Sequence, residues 1–305
     1  MTPESAGTAV APDSLQRPDW TAEDVAVVLL NFNGADDTLA CLESLAALAS
    51  APGAVHVVDN ASEDDSVERI RQAFPSVNIS VNAANLGFGA GLNPVLETLL
   101  AGGREWIWLL NNDTRVAPGA LEALLAQARA HPDAGAVGAC IVDMDPPHAV
   151  QTWGGGRIGW WRGNSRHFTA PVADERLDYL TGAALLLRAG ALRKIGLFDP
   201  QFFLYWEDAD LCLRLRMAGW RLTVAPESVV RHRLSATIGE ASPRKDELIN
   251  ASNFRFFRKH APLGGWPAIV IGVAGRIGRR LLRGDLAATR AVWRGVISGF
   301  RGREP

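Results

Sequence analysis

From Val25 onward, short apolar runs alternate with amphipathic stretches: VAVVLL before residues 38–48, VHVVD before residues 66–74, and VNISV before residues 94–100. That alternation is the signature of βαβαβα, because four to eight continuous apolar residues fit a strand buried on both faces while the intervening stretches repeat at helical spacing. A fourth run at 106–110 precedes a helix opened by Pro118, and a fifth at 135–142 follows His131-Pro132. The pattern predicts a mixed, mostly parallel α/β sheet flanked by helices. In such sheets ligands bind beyond the carboxyl ends of the strands. Attention therefore falls on the polar residues that follow each run: Asn31 to Gly34, Asp59-Asn60, Asn85 to Gly91, and Asn111 to Asp113.

The second half changes character after Pro146-Pro147. Gly, Trp and Arg crowd residues 153–163, which read as a hairpin or mobile loop. A strand at 180–188, a short helix at 189–195, a helix at 208–218 and a final helix at 244–260 follow. Beyond residue 263, Ile269, Val270, Val273, Ile277 and Leu281 recur at helical spacing among Arg276, Arg279, Arg280 and Arg283. Val292, Trp293, Val296, Ile297 and Phe300 repeat the pattern. The organisation expected is a disordered leader over 1–24, a catalytic domain over 25–262 and a basic amphipathic helical extension over 263–305. With 305 residues, one large domain has ample material for a core. A net charge of -2 gives no general attraction to nucleic acid. Cys41, Cys140 and Cys212 lack paired spacing and read as reduced, packed thiols. The first two dozen residues lack the build of a signal peptide, and no apolar run reaches the roughly 20 residues of a spanning helix.

Several constellations carry chemistry. NLGFGAGLN places Gly87, Gly89 and Gly91 after a strand but has Leu92 where a dinucleotide fingerprint needs its third glycine, so the dehydrogenase reading is weak. The loop either brings backbone close to a phosphate or simply packs tightly. Asp59 could accept hydrogen bonds from a base or ribose, since Asp64 and Ser66 suit helix capping better and leave it free. Asp113, at the end of the most apolar strand, is placed to hold a divalent cation or to form a turn, with Asn112 beside it. Glu207, Asp208 and Asp210 open a helix behind Phe202, Phe203, Tyr205 and Trp206. They complement the helix dipole, or one of them serves as a general base against an aromatic wall. His232, after VVR, is a polar strand end or an imidazole ligand for a cation bound by Asp113.

In order and spacing, VLLNFNG, VVDNASEDDS, NLGFGAGLN, LLNNDT, YLTGAALLLR, FFLYWEDADLCLR and VVRH resemble the successive motifs of family 2 glycosyltransferases with the GT-A fold. Among them the chain is most similar to rhamnosyltransferase-type members that build bacterial cell-surface polysaccharide. The resemblance spans about residues 25–260. It implies that Asn33, Asp59 and Asn85 line a nucleotide site, joined by the strand-end residues Asn31, Gly87 and Asn112. It implies that Asp113, with His232, binds a divalent metal, Mn2+ or Mg2+, although Asn112 stands where many relatives carry a second acid. Asp208 matches the family's base, with Glu207 beside it, and Thr181, Gly182 and Trp206 fall where donor and acceptor sugars meet. The implied reaction is inverting transfer of a sugar, rhamnose from dTDP-rhamnose being favoured, to a glycan or polyprenyl-diphosphate-linked hydroxyl. Without the Q-x-x-R-W motif of processive synthases, one or a few sugars would be added. The partners expected are a nucleoside-diphosphate sugar and that acceptor, with no nucleic acid. The extension is expected to reach a membrane surface, to pack on the domain or to form a homodimer contact, in a cytoplasmic protein at the inner face of the membrane. A sugar nucleotidyltransferase and a non-catalytic nucleotide-sugar-binding subunit are the competing readings.

Overall fold

The computed structural model describes residues 19–233 and 242–302. The predicted alternation is present as β1 (Val25–Asn31), α1 (Ala35–Ala46), β2 (Ala54–Asp59), α2 (Ser66–Ala73), β3 (Asn78–Val81), α3 (Phe88–Ala101) and β4 (Trp106–Asn111). There follow β5 (Thr114–Val116), α4 (Ala120–Ala130), β6 (Ala134–Asp143), β7 (Val150–Trp153), β8 (Gly155–Gly159), β9 (Asn164–His167), β10 (Tyr179–Leu180), β11 (Ala184–Arg188) and α5 (Ala189–Ile195). The chain continues with α6 (Glu207–Met217), β12 (Arg221–His232), α7 (Pro243–His260), α8 (Trp266–Leu282) and α9 (Leu286–Arg301).

The main sheet runs β3-β2-β1-β4-β11-β6-β12-β5, with β7 added beside β6. Strands β1 to β4 are parallel where they pair, and β11 is antiparallel to both of its neighbours. Successive side chains of a strand face opposite sides, and β1 divides accordingly: Ala26 and Val28 enter a core with α3, α6 and α7, whereas Val25, Val27 and Leu29 enter one with α1 and α4. This double burial is why the runs are continuously apolar. The expected hairpin is present but shifted, with β8 and β9 pairing over residues 155–167 in a second sheet ordered β10-β8-β9.

Three expectations change. Residues 1–18 of the expected leader lie outside the described residues, but residues 19–24 belong to the domain. Trp20 is buried edge-on against Trp106 at 5.0 Å, Arg129 donates to its carbonyl, and Ala22–Asp24 forms a 3-10 turn. An indole with that much apolar surface is more stable packed than left in water. The strand expected over 180–188 breaks at residues 181–183, where the backbone leaves the second sheet for the first and turns the Gly182 amide toward α6. The helix after Pro118 starts at Ala120, behind Gly119 at φ +78°.

The C-terminal extension rests on the domain by one face. A side chain at Gly295 would meet the Glu247 carbonyl at 2.3 Å, and one at Gly299 the Ala251 carbonyl at 2.8 Å, so α9 lies against α7 at near-backbone contact. Arg276 of α8 donates to the Gly163 carbonyl at 2.8 Å and to Asn253 Oδ1 at 3.0 Å. Among the described residues, no helix is long and apolar enough to cross a membrane.

Candidate active site

Strand order reverses at β1, with β2 and β3 on one side and β4 on the other, which places a crevice at the carboxyl ends of β1 and β4. Asn31 closes β1 there, next to Asn111 at the end of β4. Its buried amide donates to Asp59 Oδ1 at 2.7 Å and to Ser62 Oγ at 3.1 Å, and it accepts from Thr38 Oγ1 at 2.7 Å. The expectation that Asp59 stands free of local duties is therefore corrected. Its carboxylate is 1% exposed and takes hydrogen bonds from Asn31 and from the Ser62 hydroxyl and amide. A carboxylate withdrawn from water must be satisfied in this way, although its lone pairs are not exhausted.

Asn33 is exposed with φ +50°, its side chain accepting from the Glu63 amide at 2.8 Å. Asn85 Oδ1 accepts from Asn60 Nδ2 and from the Gly87 amide. Asn60, which sequence reasoning passed over, is the clamp of this loop: it donates to Asn85 and the Gly87 carbonyl and accepts from Asn82 and the Leu86 amide. The glycines make room for protein. Gly87 has φ +80°, and a Cβ there would lie 2.0 Å from the Phe203 carbonyl. At Gly89 a Cβ would meet Phe198, and at Gly91 it would meet Asn60. Of the two readings of NLGFGAGLN, tight packing is the one these glycines serve.

At the end of β4, Asp113 Oδ1 lies 3.4 Å from His232 Nε2, and Asn111 Nδ2 approaches the same nitrogen at 3.3 Å. Asn112 turns away, donating to Thr38 Oγ1 at 3.1 Å. The tautomer of His232 follows from a residue that sequence reasoning missed. Gln151 Nε2 donates to Asp143 Oδ1 and to the His232 carbonyl, so its Oε1 must be the atom 3.0 Å from His232 Nδ1. Nδ1 then carries the proton and Nε2 offers its lone pair toward the Asp113 carboxylate. Two acceptors facing each other across 3.4 Å would both be satisfied by a cation placed between them. Among the described residues no group of three or more His, Cys, Asp or Glu side chains is gathered for a metal. Asp113 and His232 would therefore supply only two protein ligands to an ion, leaving its other positions to substrate and water.

A cavity of about 390 Å³ opens beside this pair, taking in His232, Asn111, Thr181, Gly182, Trp206, Glu207 and Asp208. Tyr205 and Trp206 stand at φ +69° and +68° immediately before α6, a left-handed pair costly for non-glycine residues. Trp206 is held in place by its ring contacts with Phe256 and Phe257, at 4.7 and 5.3 Å, and is 9% exposed. The aromatic run thus serves first as an anchor for the turn. Asp208 Oδ2 accepts from the Gly182 amide at 3.0 Å and Oδ1 from the Ala209 amide at 2.7 Å. Burial raises its pKa, opposed by those two amides. Glu207 differs: its Oε2 is buried without a hydrogen-bond partner, and burial together with the Asp208 charge lifts its pKa well above the ordinary value. Asp210 is fully buried and faces α7, accepting from His260 Nε2 at 2.7 Å, Lys259 and Arg214.

A sheet of this order with an acid pair opening onto the cavity at its strand ends is the architecture of a glycosyltransferase. The chain belongs to glycosyltransferase family 2: residues 22–248 match the family described as Glycosyltransferase like family 2. It is 32% identical over 271 residues to an N-acetylglucosaminyl-diphospho-decaprenol L-rhamnosyltransferase of Mycobacterium tuberculosis, covering 81% of this chain and 85% of the relative. A shorter match, 41% over 54 residues, links it to Rhamnosyltransferase WbbL of Escherichia coli, with 18% and 20% coverage. In fold it is similar to the mannosyltransferase PcManGT of Pyrobaculum calidifontis in complex with GDP-Man and Mn2+. The TM-score is 0.60 at 16% identity, covering 92% of this chain and 88% of the other. It is also similar to GalNAc-T7 with UDP, GalNAc and Mn2+, at TM-score 0.64 and 15% identity, over 91% and 56% of the two chains.

Proposed function

We propose that this enzyme is an inverting, metal-dependent rhamnosyltransferase that moves rhamnose from dTDP-rhamnose to a hydroxyl of a polyprenyl-diphosphate-linked sugar at the inner face of a membrane. The observation that carries the reading is the convergence of Asp208 and His232 on one cavity, with the acceptor class supported by the lipid-linked substrate named for the mycobacterial relative. The nucleotide lies along the ends of β1, β2 and β4, where Asn33 is exposed and Asn85 and Asn112 are half-buried, with Asp59 beneath them holding Asn31. A divalent cation held by Asp113 and His232 would neutralise charge on the departing diphosphate. Asp208 takes the proton of the acceptor hydroxyl as its oxygen bonds to the anomeric carbon and the bond from that carbon to the diphosphate oxygen breaks. A single displacement inverts the centre, and no second carboxylate acts as nucleophile. The Gly182 and Ala209 amides favour the ionised, base-competent form of Asp208 against the burial that raises its pKa.

Ligand-linked stability tests the reading, because a ligand that binds the folded state raises its melting temperature by mass action. Melting curves with dTDP-rhamnose and with UDP-sugars, each with manganese, magnesium or chelator, are expected to rise for dTDP-rhamnose and to fall back with chelator. Stabilisation by a UDP-sugar alone would reassign the donor, and no response to any nucleotide sugar would overturn the assignment.

A further inference from the structure

The second sheet brings to the cavity a residue that neither the motifs nor the strand-end rule indicates. Ser165 and His167 alternate with Asn164 and Arg166 along β9, and only Ser165 and His167 line the cavity that contains Asp208. In the cross-strand register Tyr179, Gly156 and His167 form one row over three strands. Because Gly156 has no side chain, the Tyr179 hydroxyl lies over β8: a Cβ at Gly156 would sit 2.7 Å from Tyr179 Oη. That hydroxyl is 3.3 Å from His167 Nδ1, and the two rings are 5.7 Å apart. The imidazole is thus oriented from one side while its face remains open to the cavity. Partial burial lowers its pKa against the opposing influence of Asp208 and the Gly155 backbone. A neutral imidazole both donates and accepts, which suits a sugar hydroxyl.

The hairpin carrying His167 is seated rigidly. Its turn is held by Arg276 and Asn253, which both donate to the Gly163 carbonyl, and Trp160 stacks on Phe256 at 6.0 Å between centroids. The nucleotide candidates sit at strand ends of the first sheet, whereas His167 enters the cavity that holds Asp208 from the second. Its position is that of a group facing the nucleophile rather than the leaving diphosphate.

We propose that His167 is an acceptor-binding residue, its imidazole hydrogen-bonding a hydroxyl of the acceptor sugar next to the one that Asp208 deprotonates. This rests on the transferase reading above. The test uses the full chain with dTDP-rhamnose and a short-prenyl diphosphate-linked N-acetylglucosamine, measuring transfer and, without acceptor, slow hydrolysis of the donor by water. His167→Ala is expected to raise acceptor KM about ten-fold, equivalent to ~1.4 kcal/mol, while donor KM, donor hydrolysis and melting temperature stay at wild-type values. His167→Gln, which keeps a donor and an acceptor, should recover part of the loss, and Tyr179→Phe should show a smaller rise in acceptor KM. Unchanged acceptor KM in His167→Ala, or an equal fall of transfer and donor hydrolysis, would overturn the proposal. Wild-type protein that binds the donor but transfers to no acceptor would overturn the proposed function, and this inference with it.

Discussion

Glu207 and Asp208 share the first turn of α6 and differ in what meets their oxygens. Two backbone amides satisfy Asp208, whereas one oxygen of Glu207 is buried with no partner. The first environment suits a base and the second a carboxyl that keeps its proton. Asp208→Asn is therefore expected to lower kcat by about 10²- to 10⁴-fold, the range of a lost general base, with donor affinity by calorimetry unchanged. Glu207→Gln, an isostere of the protonated acid, should retain most of the rate. A larger loss in Glu207→Gln would exchange the two roles. Stability gives an independent readout. The folded pKa of Glu207 is raised above its unfolded value, so between the two the folded state holds a proton that the unfolded chain has released, and stability falls as pH rises through that window. Melting temperatures of the wild type and Glu207→Gln should coincide below about pH 4, under the unfolded value of roughly 4.3, and separate in favour of the variant as pH increases. The motif EDADLCLR made this acid cluster legible, but which acid is satisfied and which is not depends on amides at residue 182 that arrive from β10–β11.

Helix α6 is fixed to α7 by Asp210. Burial alone would raise its pKa, but His260, Lys259 and Arg214 outweigh that and bring it down to about 2. Its contribution to stability is present above its unfolded value of about 3.9 and is lost as pH falls toward 2. Asp210→Asn leaves cationic partners around a buried neutral amide, and should cost about 3–5 kcal/mol by denaturant unfolding at neutral pH. A loss below ~1 kcal/mol would mean that the cluster is not what couples the helices. Other elements differ in how far local pattern reveals them. Strands β1, β2 and β4 were readable because burial on both faces writes a continuous apolar run. The break between β10 and β11 was not, since YLTGAALLLR is apolar on both sides of a turn whose purpose is to bring the Gly182 amide to Asp208.

The molecule as a whole presents an apolar stripe along its C-terminal helices. Val270, Ile271, Leu281 and Leu282 of α8 and Trp293, Ile297 and Phe300 of α9 are exposed, with Arg279, Arg283, Arg290 and Arg301 also at the surface. Apolar side chains flanked by arginines match an anionic lipid surface, each basic residue there contributing about 1 kcal/mol. Ile271 and Leu282 are 52% and 90% exposed, so Ile271→Asp with Leu282→Asp should leave the melting temperature unchanged. The double variant is expected to lose flotation with anionic liposomes; flotation equal to wild type would exclude α8 as a membrane contact. Sequence by itself determined the alternation of strands and helices from β1 to β4, the polar residues at strand ends, the acid cluster of α6 and the amphipathic extension, because each is written in the pattern of neighbouring residues. Tertiary structure alone decided that β11 enters antiparallel between β4 and β6, that Trp20 belongs to the core, and that Asp59 is occupied by Asn31 and Ser62. It also decided that Gln151 sets the tautomer of His232 across 81 residues of chain. The physical reason is common to all four: periodicity encodes which side chains leave water, whereas a hydrogen-bond or packing partner depends on where distant segments cross.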